Sequence, residues 1–241
     1  MEIDLAELWG NMPVLVKMVV AVLTIQALAT LYVLVDRLLL LVSSTSRSRK
    51  FASEAGAKLA AGRFDEVVAI AKKHEQSHLA SFIADGTTVF LARMNDGLGR
   101  EKAAEFAKRA LERKGENLSE SLNRGLNILA STGSTAPFIG LLGTVLGILN
   151  AFRLIGEESS GGMATIGPAI SEALVVTGYG LLVAIPTVLV FNWLSGRIAK
   201  YEAGLANAGS ELVDQLEADT KTKVPRAEKA PPRAEHAHAV A

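Results

Sequence analysis

Three residues place a reactive or hydrogen-bonding group where such groups are scarce: Thr144, Thr177 and Glu172, each inside a long apolar run. Glu172 is the only carboxylate within any of those runs. An ionisable group there costs a few kcal/mol even on a lenient insertion scale, so it is a functional candidate by default. The bland reading is that Pro168 opens a helix and leaves Glu172 near its start, where the helix dipole favours an anion. The hydroxyls of Thr144 and Thr177 can line a polar path, or can bond back to their own helix carbonyls. At 100° per residue Glu172 and Thr177 stand about 140° apart, so they need not share a row. A further candidate is His74-Glu75-Gln76-Ser77-His78, which fits H-E-x-x-H. On one helix the two histidines would share a face, with the glutamate placed to activate a metal-bound water. Lys72 and Lys73 precede it and no third ligand is evident, so it reads as a solvated helix end, and no metal or other cofactor is expected.

The elements that hold the threonines and Glu172 are long. Residues 126–152 read LNILASTGSTAPFIGLLGTVLGILNAF, without a charge, and residues 13–35 and 166–193 are comparably apolar. Each exceeds the roughly 20 residues that cross about 30 Å of hydrocarbon. The expectation is an all-α membrane protein with three transmembrane helices and helical cytoplasmic extensions. The first apolar run follows the acids Glu2, Asp4 and Glu7 and is too long for a secretory signal core, so it reads as an anchor. Cysteine is absent and the formal charge is zero, which excludes a disulfide frame and argues against nucleic acid as a partner.

Arg37, Arg47, Arg49 and Lys50 follow the first run, and Arg197 and Lys200 follow the third. The short link between the second and third carries Glu157 and Glu158 and, after Arg153, no Lys or Arg. The positive-inside rule then puts the N-terminus in the periplasm and the C-terminus in the cytoplasm. The expected layout is a periplasmic segment 1–12, spans at 13–42, 126–156 and 166–196, and a cytoplasmic helical region 43–125. A periplasmic loop at 157–165, a cytoplasmic helical extension at 197–218 and a disordered tail at 219–241 complete it. The tail is rich in Pro, Ala and charge, and its His236 and His238 read as solvated. Within 43–125, helices are expected at 51–61, 64–73, 79–94 and 101–126, punctuated by Gly62, Gly86, and Gly97 with Gly99. Ala107, Leu111, Leu118, Leu122, Leu126 and Leu129 fall on one stripe, so the last of these is expected to run unbroken into the second span. The third span continues likewise through Ile198, Tyr201, Leu205, Ala208, Leu212 and Leu216.

The second span carries small residues on two faces, Ala136, Gly140 and Thr144 on one and Gly143, Gly147 and Ala151 on the next. The third has a row of Ala169, Ala173, Thr177, Gly180, Ala184 and Thr187. Small residues let backbones approach closely, so two small faces ask for two close neighbours. A ring of identical subunits would supply them; packing within one chain is the alternative.

The stretches APFIGLLGTVLGILNAF at 136–152 and IGPAISEALVVTGYGLLVAIPTVLVFN at 166–192 resemble the paired signature of the ExbB/TolQ/MotA proton-channel family. The three-span layout is similar to its ExbB and TolQ branch, and Asp36-Arg37 resembles an acidic-Arg pair common there. The resemblance implies an inner-membrane motor subunit in a pentameric ring around two copies of a single-span ExbD/TolR-like partner. That partner brings a protonatable Asp facing pore threonines that correspond to Thr144 and Thr177, and the family's span-three glutamate corresponds to Glu172. It implies further an envelope-spanning TonB/TolA-like or motility partner, served in nutrient uptake, envelope maintenance or surface motility. Two other readings are a structural membrane scaffold and an anchored zinc hydrolase using His74, Glu75 and His78.

Overall fold

The structure is a computed structural model in which residues 9, 10, 12–157 and 163–218 are described. The acids at 2, 4 and 7, loop residues 158–162 and the tail from 219, with His236 and His238, lie outside the described residues. All regular structure among the described residues is helical.

Helix α1 spans Val14–Ala60 without interruption and ends where Gly62 turns the chain at φ +70°. Helix α2 is Phe64–Lys73 and helix α3 is His78–Asn95, the latter capped by Ser77, whose hydroxyl accepts from Ala80 N–H. Helix α4 is Arg100–Asn123, α5 is Leu126–Glu157 and α6 is Met163–Glu217. Three helices are long and apolar enough to cross a membrane: α1, α5 (counted with α4 through the turn between them) and α6.

The buried apolar residues form three stacked clusters. Among the spans, Val16, Val19 and Leu23 of α1 meet Ala136 of α5 and Val176 and Val183 of α6. Below them Val33 and Leu41 join Leu122, Leu126, Leu129, Leu194 and Ile198. The largest cluster holds the bundle together, with Phe51, Phe64, Phe82 and Phe90 packed against Leu111, Leu118, Leu205, Leu212 and Leu216. The outward faces of the spans stay greasy: Ile25, Leu28, Tyr32, Phe138, Leu149, Leu182 and Leu189 are all exposed. An apolar outer face over small and polar inner contacts suits a helix set in hydrocarbon.

Four expectations need correction. The helix expected to run unbroken from the bundle into the second span is interrupted at Arg124 and Gly125, where Gly125 adopts φ +83°. A β-carbon at Gly125 would lie 3.0 Å from Val33 Cγ1, so the turn is pressed against α1 as well. The separate helix expected at 51–61 does not exist; α1 carries straight through Ser44 and Lys50 into the bundle. Pro168 does not open α6, which starts at Met163 and contains both Pro168 and Pro186. Gly86 is no break either. It sits mid-α3, where a β-carbon would come within 2.7 Å of Leu111 Cγ.

Candidate functional site

The site is built on the antiparallel hairpin of α5 and α6, and glycine sets how closely the two helices approach. A β-carbon on Gly140 would stand 3.2 Å from the α-carbons of Gly180 and Thr177. One on Gly180 would stand 2.7 Å from the Ala136 carbonyl oxygen, and one on Gly147 2.6 Å from Ala173 Cβ. Gly143 faces Val176 of α6 and Val19 of α1, and Ala184 is buried in the same cluster. Both close neighbours of the small faces at these positions therefore come from this chain. The glycines serve the hairpin first.

That approach brings backbone carbonyls within reach of side-chain hydroxyls. Thr177 Oγ1 donates across the helix pair to the Gly140 carbonyl at 2.9 Å. Thr144, one turn further along α5, donates to its own helix at the Leu141 carbonyl, 2.7 Å away, and is buried. A threonine hydroxyl keeps acceptor lone pairs after donating its proton, so both remain able to receive a hydrogen bond. The hairpin thus offers acceptors and no carboxylate, histidine or lysine at the level of the two threonines.

Glu172 lies on the loop side of the two threonines, in a narrow pocket with Pro13 before α1, Val16 of α1, Gly147 and Asn150 of α5, and Ala169 and Ala173 of α6. Lys17 is the cation whose charge acts on it. Lys17 is itself anchored where the chain enters α1, donating to the Gly10 carbonyl at 3.1 Å and lying 5.9 Å from the Trp9 ring centroid. With α6 starting at Met163, Glu172 sits past the first turn, beyond the reach of the helix-start dipole.

Thr24 and Gln26 stand inside the first apolar run, and sequence reasoning missed their partners. Thr24 Oγ1 meets the Tyr179 hydroxyl at 3.1 Å, and Gln26 Nε2 donates to Thr135 Oγ1 at 3.2 Å. These bonds clamp α1 onto the hairpin. Arg37 has a structural task as well, pairing with Asp36 and donating to the Ser121 carbonyl near the end of α4.

The H-E-x-x-H residues are not presented on one helix. Lys73 ends α2, His74 to Gln76 form a turn, and Ser77 caps α3. His74 Nε2 bonds Glu54 Oε2 at 3.0 Å, while His78 Nδ1 faces Ser44 Oγ at 3.1 Å. Among the described residues no three His, Cys, Asp or Glu side chains converge on one point.

A family model described as the MotA/TolQ/ExbB proton channel family matches residues 75–207, from the turn before α3 well into α6. The biopolymer transport protein ExbB of Pseudomonas putida is 38% identical over 121 residues, which are 50% of this chain and 35% of that protein. The Tol-Pal system protein TolQ of Pseudomonas aeruginosa is 39% identical over 105 residues, 44% of this chain and 46% of that one. ExbB of Neisseria gonorrhoeae reaches 52% identity over 71 residues, 30% of this chain and 32% of its own length. The chain thus spans less than half the length of each of these relatives. The matched stretch contains the whole α5–α6 hairpin core and its two threonines, and the chain belongs to the MotA/TolQ/ExbB proton channel family.

Proposed function

We propose that this chain is a proton-channel subunit of the bacterial inner membrane that turns proton motive force into mechanical work for a partner spanning the envelope. The observation that carries the reading is the hairpin itself. Its central level presents the Thr144 and Thr177 hydroxyls, each with its proton already committed to a carbonyl and its lone pairs free to accept. A proton path needs a group at mid-membrane that titrates near neutral pH, and this hairpin level carries no carboxylate, histidine or lysine. A second protein must bring it, as an acid on a single membrane helix of the ExbD or TolR kind. When protonated, such an acid is a donor matched to these acceptors; when ionised, it is not.

The energetics suffice. One charge moved through 100 mV yields about 2.3 kcal/mol, so a membrane at roughly 150–200 mV gives about 3.5–4.6 kcal/mol per proton. That exceeds the few kcal/mol separating typical conformers of a bistable assembly. Several copies in a ring, five by the family resemblance, would repeat the acceptor row around the partner helix. The N-terminus is assigned to the periplasm and the helical bundle to the cytoplasm from the distribution of Lys and Arg.

The test is a pair of volume-conserving substitutions, Thr144→Val and Thr177→Val, with proton-driven work and the amount of assembled complex measured in cells containing the partner. Loss of work at normal complex levels is expected. Full activity in both variants would leave the scaffold reading, in which the hydroxyls only bond to carbonyls.

A further inference from the structure

Ser44, Ser48, Ser77, His78 and Tyr201 come from α1, the cap of α3 and α6, and they form one hydrogen-bonded chain between the spans and the bundle. Ser77 Oγ lies 3.1 Å from Ser48 Oγ, Ser48 Oγ 3.2 Å from the Tyr201 hydroxyl, and that hydroxyl 2.7 Å from Ser44 Oγ. Ser44 Oγ in turn lies 3.1 Å from His78 Nδ1. Ser44, Ser48 and Ser77 are buried, with Ser77 at 0% exposure.

The direction of this chain is fixed at one end. Ser77 Oγ accepts the Ala80 N–H as the cap of α3 and is buried, so its own proton needs an acceptor, and among the described residues Ser48 Oγ is the one within reach. Ser48 then donates to Tyr201, Tyr201 to Ser44, and Ser44 to His78. Every hydroxyl in the chain gives one proton and receives one. The last acceptor is the lone pair of His78 Nδ1, which must be bare. A proton on Nδ1 leaves five protons for the four bonds of the chain, so one hydroxyl proton loses its acceptor within it. Such an unmade bond costs about 1–3 kcal/mol.

We propose that His78 and this hydroxyl chain form a pH-sensitive joint, closed when His78 is neutral and released when it is protonated, that fastens α3 to α1 and α6. The charges around it agree. Lys114 of α4 is the cation that acts on His78, and it is bonded to Asp85 of α3 at 2.8 Å. From α6, Glu202 is turned away to Ser119 and Asn123, and Lys200 borders the cleft beside Ser48 and Tyr201 with Arg49 of α1. Glu54 of α1 is taken by His74. No carboxylate among the described residues bonds His78 to welcome a proton. Burial first, and Lys114 second, hold its imidazole below the ordinary histidine value. A lowered value means the closed joint binds fewer protons than the open one as pH falls below about 6.5, so closure weakens in that direction. On the orientation assigned under the proposed function, the joint faces the cytoplasm and loosens the bundle when a proton-driven machine has acidified it.

Hydrogen exchange read by mass spectrometry, on the full chain in lipid nanodiscs without partner or gradient, tests the joint separately from the proton-channel reading. Between pH 7.5 and 5.5, after correction for intrinsic exchange, segments 44–60 and 78–95 should lose protection several-fold in the unsubstituted protein. His78→Gln, whose amide oxygen still accepts from Ser44 but does not titrate, should remove that pH dependence while keeping protection at pH 7.5. His74→Gln should leave it in place. Flat protection in the unsubstituted protein, or a pH response that persists in His78→Gln, overturns the proposal.

Discussion

Thr144 and Thr177 stand on facing helices yet spend their protons differently, one on its own helix and one across the hairpin. Thr144→Val should therefore leave stability almost unchanged. Thr177→Val removes an interhelical bond, worth about 0.6 kcal/mol on average in membranes, and should lower thermal stability slightly. Both are expected to abolish proton-driven work, so activity and stability part company most clearly at Thr144. Glu172→Gln keeps shape and hydrogen bonding but removes charge and titration. If Glu172 admits or relays protons or holds the partner helix, proton uptake by the assembled complex falls in this variant; near-normal uptake would make the residue structural. The two threonines and Glu172 were legible because ionisable and hydroxyl groups stand out in an apolar run. The chain through Ser44 and Tyr201 was not, since its members lie 157 residues apart and no periodicity links them. His78 drew notice only through a zinc signature, which the turn at His74 to Gln76 dismantles.

At the scale of elements, the hairpin is a test of close approach. Gly143→Leu would drive a side chain into Val176 and Val19, and overpacking of this sort typically costs about 1–3 kcal/mol. Reduced melting temperature of the isolated chain in detergent is the expected outcome, even where no ring can form. Gly125→Ala is expected to cost about 1–2 kcal/mol, because a residue with a β-carbon must then hold φ +83° against Val33. Gly125 escaped sequence reading because Leu118, Leu122, Leu126 and Leu129 stay buried on both sides of the turn, so the stripe gives no sign of the break. The continuity of α1 was hidden by the opposite effect. Its polar stretch at Ser43 to Lys50 resembles a linker, but it contains no Gly or Pro, and Ser44 and Ser48 are buried in hydrogen bonds.

For the whole molecule, three long apolar helices and an all-helical bundle followed from composition and periodicity alone. The assembly did not, because the small faces that suggested a ring are met within one chain. The proposed ring rests on family membership, and native mass spectrometry of gently extracted protein should show several copies, five being expected; monomers and dimers only would contradict it. Three struts join the spans to the bundle, and they differ mechanically. Strut α1 passes through unbroken, roughly 70 Å of rod at 1.5 Å per residue, and α6 does the same over 55 residues. The third strut, α4 with α5, is hinged at Gly125. Between the spans and the bundle only the third strut carries a turn, which makes that turn the easiest place for the frame to bend. Movement of α5 under load is then expected as rotation about that hinge, sliding against α1 and α6.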